Sequence, residues 1–391
     1  MADGQEHSPE TASRAPLDAA RAPASVCVPT RQARPMAAGR EDPMDFGIFT
    51  EQLREGGSQE DWFKEIHEFA EKGEAWGLDV LWLAEMLVNP ARSVLSAPLL
   101  VATSIAAQTR RLRVGTAVQL LPLNHPLRVA GEITTLDHLS HGRFDFGIGR
   151  SGSPRAYDAL GVSYAESQER FFEALEVILK AWKGEPFSHA GKYYRFDNAA
   201  VSPRPYRPPH PPVRMAATTP ETFPRVAKLG LPIFVGLRGM SIPELSGHLE
   251  TYRAAWRAAG HPGEGDVCLR IPVYAAPTET AAIEEPRETA LFYFKRQAEL
   301  TRAPIGRAGA GPAARLQTQA QQLDALSYDS VLATKVAFGT GPGLVDRFTM
   351  LRDELHLTGV AAELNPGGLL TLEQEMRTLQ ILTQQVMPAF K

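Results

Sequence analysis

The sequence predicts an α/β protein, a (β/α)8 TIM barrel with insertions, preceded by a disordered N-terminal tail. Three observations predict it. From Met44 onward, short β-branched or aromatic runs alternate with longer segments of helical period, the pattern of βα units and a parallel sheet. Eight such units can be counted, which is the number that closes a barrel. No internal repeat of about 20–50 residues is present, so a single domain over 44–391 fits better than an array or two independent domains.

The strands are expected at Met44–Phe49, Val80–Leu83, Arg113–Gln119, Phe144–Gly149, Val213–Ala217, Pro232–Gly236, Leu269–Ala275 and Gly359–Glu363. Between the first two, Ser58 with Asp61 three residues on reads as a capping box, and Trp62, Ile66, Phe69 and Gly73 form one stripe. Phe171, Leu175, Ile178 and Trp182 repeat at helical spacing after the fourth strand, as do Leu372, Met376, Leu379, Leu382 and Val386 at the end. These stripes read as core. Two excursions interrupt the alternation. Residues 186–212 carry seven prolines (Pro186, Pro203, Pro205, Pro208, Pro209, Pro211, Pro212) and read as a β-excursion with a stiff loop. Residues 302–314 are Gly/Ala-rich without periodicity and read either as a mobile lid over the catalytic face or as a plain surface insertion.

Composition narrows the function classes. The chain is 391 residues long, 43% hydrophobic and 22% charged, which excludes disorder throughout. A formal charge of -4 gives no electrostatic footprint for nucleic acid, and no basic amphipathic helix suggests a membrane surface. The partner is expected to be a small molecule. Cys27 and Cys268 provide neither a disulfide framework nor metal spacing, and no HExxH or His-x-His cluster occurs, so no metal is expected. Residues 1–43 are rich in Ala, Pro, Arg and Ser and read as disordered. They lack the apolar run of a signal peptide, and Asp3, Glu6, Glu10 and Asp18 argue against a transit peptide, so the cytoplasm is expected. Met36 and Met44 are also plausible starts.

The strongest local chemical signal follows the fifth strand. In Thr218-Thr219-Pro220-Glu221-Thr222, Thr219 suits an N-cap and Pro220 the first helical position. Free N–H groups and three hydroxyls would then face the barrel mouth, a site for a phosphate, although simple capping explains the same residues. Arg150 ends the neighbouring fourth strand and can converge on the same anion, with Gly147 and Gly149 allowing close approach and Arg170 on the following helix a further contributor. The third strand, through Ala117, is built of small residues and is expected either to leave the barrel centre open for a flat ring system or simply to pack against other layers. Asp137, near His125 and His138, is expected to bind loop amides away from the mouth.

Several ordered segments resemble the bacterial-luciferase-like flavin-dependent monooxygenases over essentially all of 44–391. They include Gly77-Leu78-Asp79 through Glu85, Val114–Ala117, Asn124-His125-Pro126-Leu127-Arg128, Leu136 through Arg150, Ala227–Pro232, Asn365-Pro366-Gly367-Gly368 and Val386–Phe390. The resemblance implies a homodimeric enzyme that binds reduced FMN at the C-terminal strand ends and activates O2 as a flavin C4a-hydroperoxide. It places the FMN phosphate at Arg150 with Thr218, Thr219 and Thr222, and a non-proline cis peptide at Ala117–Val118 beneath the flavin. Relatives commonly carry Glu-His-His after the second strand, where this chain has Glu85-Met86-Leu87. A thioether cannot shuttle protons, so either Glu85 takes that role, the substrate does, or none is needed. Gly149 stands where the luciferase catalytic subunit has a cysteine, so light emission is not expected.

The leading expectation is a two-component monooxygenase: a separate flavin reductase supplies reduced FMN, and a small apolar organic substrate is oxygenated. The Met86-Leu87-Val88 run is expected either to line its pocket or simply to pack a loop. The alternatives are a deazaflavin-dependent hydride-transfer enzyme on the same barrel and a non-catalytic flavin-binding protein.

Overall fold

The computed structural model describes residues 43–51, 56–90 and 92–391, so the expected disordered tail lies outside the described residues but for Pro43. Eight parallel strands close a barrel: β1 (Asp45–Thr50), β2 (Val80–Leu83), β3 (Arg113–Thr116), β4 (Phe144–Gly149), β5 (Val213–Ala216), β6 (Ile233–Gly236), β7 (Val267–Ala275) and β8 (Gly359–Glu363). Each strand pairs with the next, and β8 returns to β1 with Asp45 opposite Gly359, which leaves no free barrel edge.

Strand alternation sends one residue in two outward, where Ile48, Leu81, Val114, Phe146 and Ile271 pack under the helices. The Phe171, Leu175, Ile178 and Trp182 stripe is fully buried in this layer, each side chain contributing about 1.5–3 kcal/mol by leaving water. Ser58 caps the first helix, Gln59–Trp76, in the expected box with Asp61, and Gly77 ends it at φ 88°, a left-handed turn that costs glycine nothing.

The inward residues differ along the barrel. At the N-terminal end, Arg113 donates to Asp45 at 2.6 Å and to Asp145 at 2.5 Å. Midway, the rings of Trp82 and Phe234 meet edge to face at 4.9 Å. Of the two readings of the small residues in β3, packing holds at Gly115: the room there is filled, since a Cβ would lie 2.4 Å from the Trp82 ring. β3 also ends earlier than expected, at Thr116, and pairing with β4 resumes at Gln119–Leu120 after the cis Ala117–Val118 peptide.

Both excursions are present. Phe187–Ala190 and Arg195–Ala199 form an antiparallel hairpin, and the proline-rich loop after it docks at the N-terminal end of the barrel. There the Arg207 N–H donates to Asp137 at 3.0 Å, and His138 contacts the Arg204 carbonyl at 2.9 Å, so Asp137 binds the loop as expected. The second excursion needs correction. Residues 302–314 are not an irregular loop: they end the helix Arg287–Arg302, pass through a 3-10 turn at Ile305–Arg307 and open the helix Ala310–Asp324. Alanine supplies helix propensity without a periodic stripe, which hid this helix. A further short strand, Ala337–Gly339, extends pairing along β7 and was not anticipated.

Candidate active site

The C-terminal strand ends carry three groupings of polar side chains. The first lies where β4 and β5 adjoin, with Ile148 opposite Met215. Arg150 leaves β4 there, and its Nη1 donates to the buried Ser167 Oγ at 2.8 Å. Its guanidinium has no ion pair among the described residues. Across from it, Thr218 is exposed, and the hydroxyls of Thr219 and Thr222 lie 2.9 Å apart. The helix here starts at Thr222 with Glu221 at its N-cap, not at Pro220 after a Thr219 cap. Thr219 instead closes a turn, its carbonyl accepting from the Thr222 N–H at 2.9 Å. Arg170 is committed elsewhere: it pairs with Glu166 at 2.9 Å and stacks on the Tyr193 ring at 4.2 Å.

The second grouping centres on Glu85, just past β2. Its carboxylate accepts from the Leu120 N–H at 2.6 Å, from Gln119 Nε2 at 2.8 Å and from Asn124 Nδ2 at 3.4 Å. Burial pushes its pKa up to about 7, against the lowering effect of Leu120 and Asn124. Gln119 is itself buried, and its Oε1 has no donor. Ala117, Val118 and Met86 pack on the Phe49, Trp82 and Phe234 cluster. Met86 is thus part of an apolar floor.

The third grouping was not foreseen. Glu51 after β1 is buried between Arg92, with which it pairs, and Arg270, at 3.1 Å. Arg270 Nη2 also donates to Glu363 at the end of β8, at 2.8 Å, and the Tyr293 hydroxyl donates to Glu363 at 3.2 Å. Burial raises the Glu51 carboxyl, but Arg92 and Arg270 outweigh it and hold it at about 2. The signal for this network in the sequence was acidic residues at the ends of the first and last strands, opposite an arginine inside β7. A small cavity between β1 and β8, lined in part by Glu51, Glu363, Asn365 and Glu375, lies across the barrel from Arg150.

The helices Arg287–Arg302 and Ala310–Asp324 pack on each other above these groupings. Arg307 pairs with Asp158 after β4 at 2.6 Å, and Arg315 pairs with Glu221 after β5 at 2.5 Å. Gln319 lies so close over Gly239 that a Cβ there would fall 1.3 Å from its amide nitrogen. The insertion after β7 therefore reaches across the mouth to the loops that carry Arg150 and Thr218–Thr222.

These features fit a reduced flavin mononucleotide. An unpaired guanidinium beside three hydroxyls suits a phosphate dianion, and the orphaned Gln119 Oε1 suits a ring N–H.

The family model for luciferase-like monooxygenase matches residues 44–304. An uncharacterised protein of Sinorhizobium fredii is 36% identical over 178 residues, 45% of this chain and 52% of its own length. The chain thus spans about half the length of the first curated relatives it matches. A flavin-dependent trigonelline monooxygenase oxygenase component of Acinetobacter baylyi is 25% identical over 275 residues, 67% of this chain and 75% of that protein. Among solved structures, the oxygenating constituent of 3,6-diketocamphane monooxygenase of Pseudomonas putida, in complex with FMN, shares the fold at TM-score 0.73 and 20% identity, covering 88% of this chain and 98% of that one. A coenzyme F420-dependent tetrahydromethanopterin reductase of Methanopyrus kandleri shares it at TM-score 0.66 and 19% identity, covering 89% and 100%. No helix among the described residues is long and apolar enough to cross a membrane.

Proposed function

The chain belongs to the luciferase-like monooxygenases, and from that premise we propose that it is the oxygenase component of a two-component system, using reduced FMN from a separate flavin reductase and O2 to oxygenate a small organic substrate. The observation that carries this reading is the unpaired Arg150 guanidinium at the end of β4, beside the threonines that follow β5. The relative named as an oxygenase component supports the two-component division.

When bound, reduced FMN supplies the two electrons that send one atom of O2 to the substrate and the other to water. Arg150 holds the phosphate through charge-assisted hydrogen bonds, with Thr218, Thr219 and Thr222 as further donors. Ser167 fixes the guanidinium so that little side-chain entropy is lost on binding. Gln119 Oε1, which has no donor, would be free to accept a hydrogen bond from the bound cofactor. Glu85, with a pKa near 7, takes up or releases a proton at its carboxylate within reach of Gln119. Ala117 and Met86 present an apolar floor, and the insertion above excludes bulk water.

The test is oxygen uptake by the protein with photoreduced FMN and no reductase. Uptake that depends on the protein and forms no free peroxide in the presence of substrate supports the proposal. Turnover with reduced F420 and none with FMN would replace it by hydride transfer on the same barrel. FMN binding with neither activity would leave a non-catalytic flavoprotein.

A further inference from the structure

Around the third grouping the donors outnumber the acceptors. The two carboxylates, Glu51 and Glu363, are occupied by Arg92, Arg270 and Tyr293. Arg238, two residues beyond β6, is half-buried and donates through Nη1 to Gln297 Oε1 at 3.1 Å, and it has no ion pair among the described residues. Gln297 is 6% exposed, and its Nε2 is buried with no acceptor. The bond from Arg238 fixes which end of the amide is the oxygen, so the orphan is a donor and not a misassigned acceptor.

A half-buried guanidinium with an amide oxygen but no carboxylate within ion-pair distance, beside a buried amide N–H that has no acceptor, is stabilised by an acceptor that carries negative charge. A planar carboxylate matches a planar guanidinium and offers a second oxygen to the amide. The phosphate of the proposed cofactor is already matched by Arg150, on a different pair of strands. We propose that Arg238 and Gln297 Nε2 form a subsite for a carboxylate group of the substrate, so that the enzyme acts on an organic anion. This inference rests on the oxygenase reading and names its substrate class. It revises the expectation of a wholly apolar substrate: the apolar body lies on the Met86 side and the anionic group under the helix Arg287–Arg302.

The experiment is isothermal titration calorimetry of the FMN-saturated protein with benzoate and with benzamide, which share shape and differ in charge. Benzoate is expected to bind roughly ten-fold more tightly. Arg238→Gln and Gln297→Leu should each remove most of that preference without changing FMN affinity, Arg238→Gln with the melting temperature held, and Arg238→Lys should retain part of it. Equal binding of the two probes, absent benzoate binding, or a preference that survives Arg238→Gln overturns the subsite. A fall in FMN affinity in step with benzoate overturns it too, because the anion held there would then be the cofactor's phosphate. If the wild-type protein binds no FMN, the flavin reading fails, and the same probe pair titrated without flavin still decides the subsite.

Discussion

The Leu120 backbone N–H donates to Glu85 at 2.6 Å, joining the end of β2 to the segment that resumes pairing after Ala117–Val118. Burial pushes the pKa up to about 7 from the ordinary 4.5, although this bond favours the ionised carboxylate. A raised pKa means that the folded state favours the protonated form. Its contribution to stability is full below about 4.5 and is lost as pH rises through about 7, amounting to roughly 3 kcal/mol at most. Glu85→Gln should therefore gain on the wild type in melting temperature between pH 5 and pH 8, on the order of that window. It should also remove a limb near pH 7 from the kcat/KM profile. A constant melting difference across the range, with the limb intact, contradicts the assignment.

Arg270 joins Glu51 to Glu363 inside the barrel mouth. Arg270→Met would leave two buried carboxylates short of a cation, a loss of about 3–5 kcal/mol measured by denaturant unfolding. Arg270→Met combined with Glu363→Gln should recover part of that loss. The depressed pKa of Glu51 gives stability that is present above about 4.5 and lost as pH falls toward about 2, so the wild type should weaken in acid more than Glu51→Gln does. Equal acid sensitivity of the two proteins would contradict this.

The ion pairs Arg307–Asp158 and Arg315–Glu221 are exposed, so they add little to global stability. Their position matters more, because they fasten the helical insertion to the loops after β4 and β5. The double variant Arg307→Ala/Arg315→Ala should melt within a degree or two of the wild type. It should nonetheless be cut faster by trypsin after Arg302, where the helix Arg287–Arg302 ends, and release more peroxide per flavin oxidised. Unchanged cleavage and peroxide release would mean that the pairs hold nothing in place.

The barrel was legible because β-branched runs and helical stripes recur in order, and strands such as Val80–Leu83, Phe144–Gly149 and Gly359–Glu363 fall on the residues expected. Thr219 was misplaced as an N-cap because Ser/Thr-Pro signals mark a turn as readily as a helix start. The helix at Ala310–Asp324 was hidden because it is covered by polar contacts and lacks a strong apolar stripe. Gln297 and Arg238 were invisible for another reason: they are 59 residues apart in the chain, and only the insertion after β7 brings them within a hydrogen bond. Small residues in β3 allowed either an open centre or close packing, and Trp82, opposite Gly115 on the adjacent strand β2, decides for packing by filling that space.

The most direct test of the account is the affinity of FMN for the wild type and for Arg150→Ala, measured by flavin fluorescence quenching. The account predicts at least a roughly ten-fold loss of affinity in Arg150→Ala, as expected for a charge-assisted contact to phosphate, with the melting temperature of the flavin-free protein unchanged. Equal affinities would contradict it and move the cofactor away from the junction of β4 and β5.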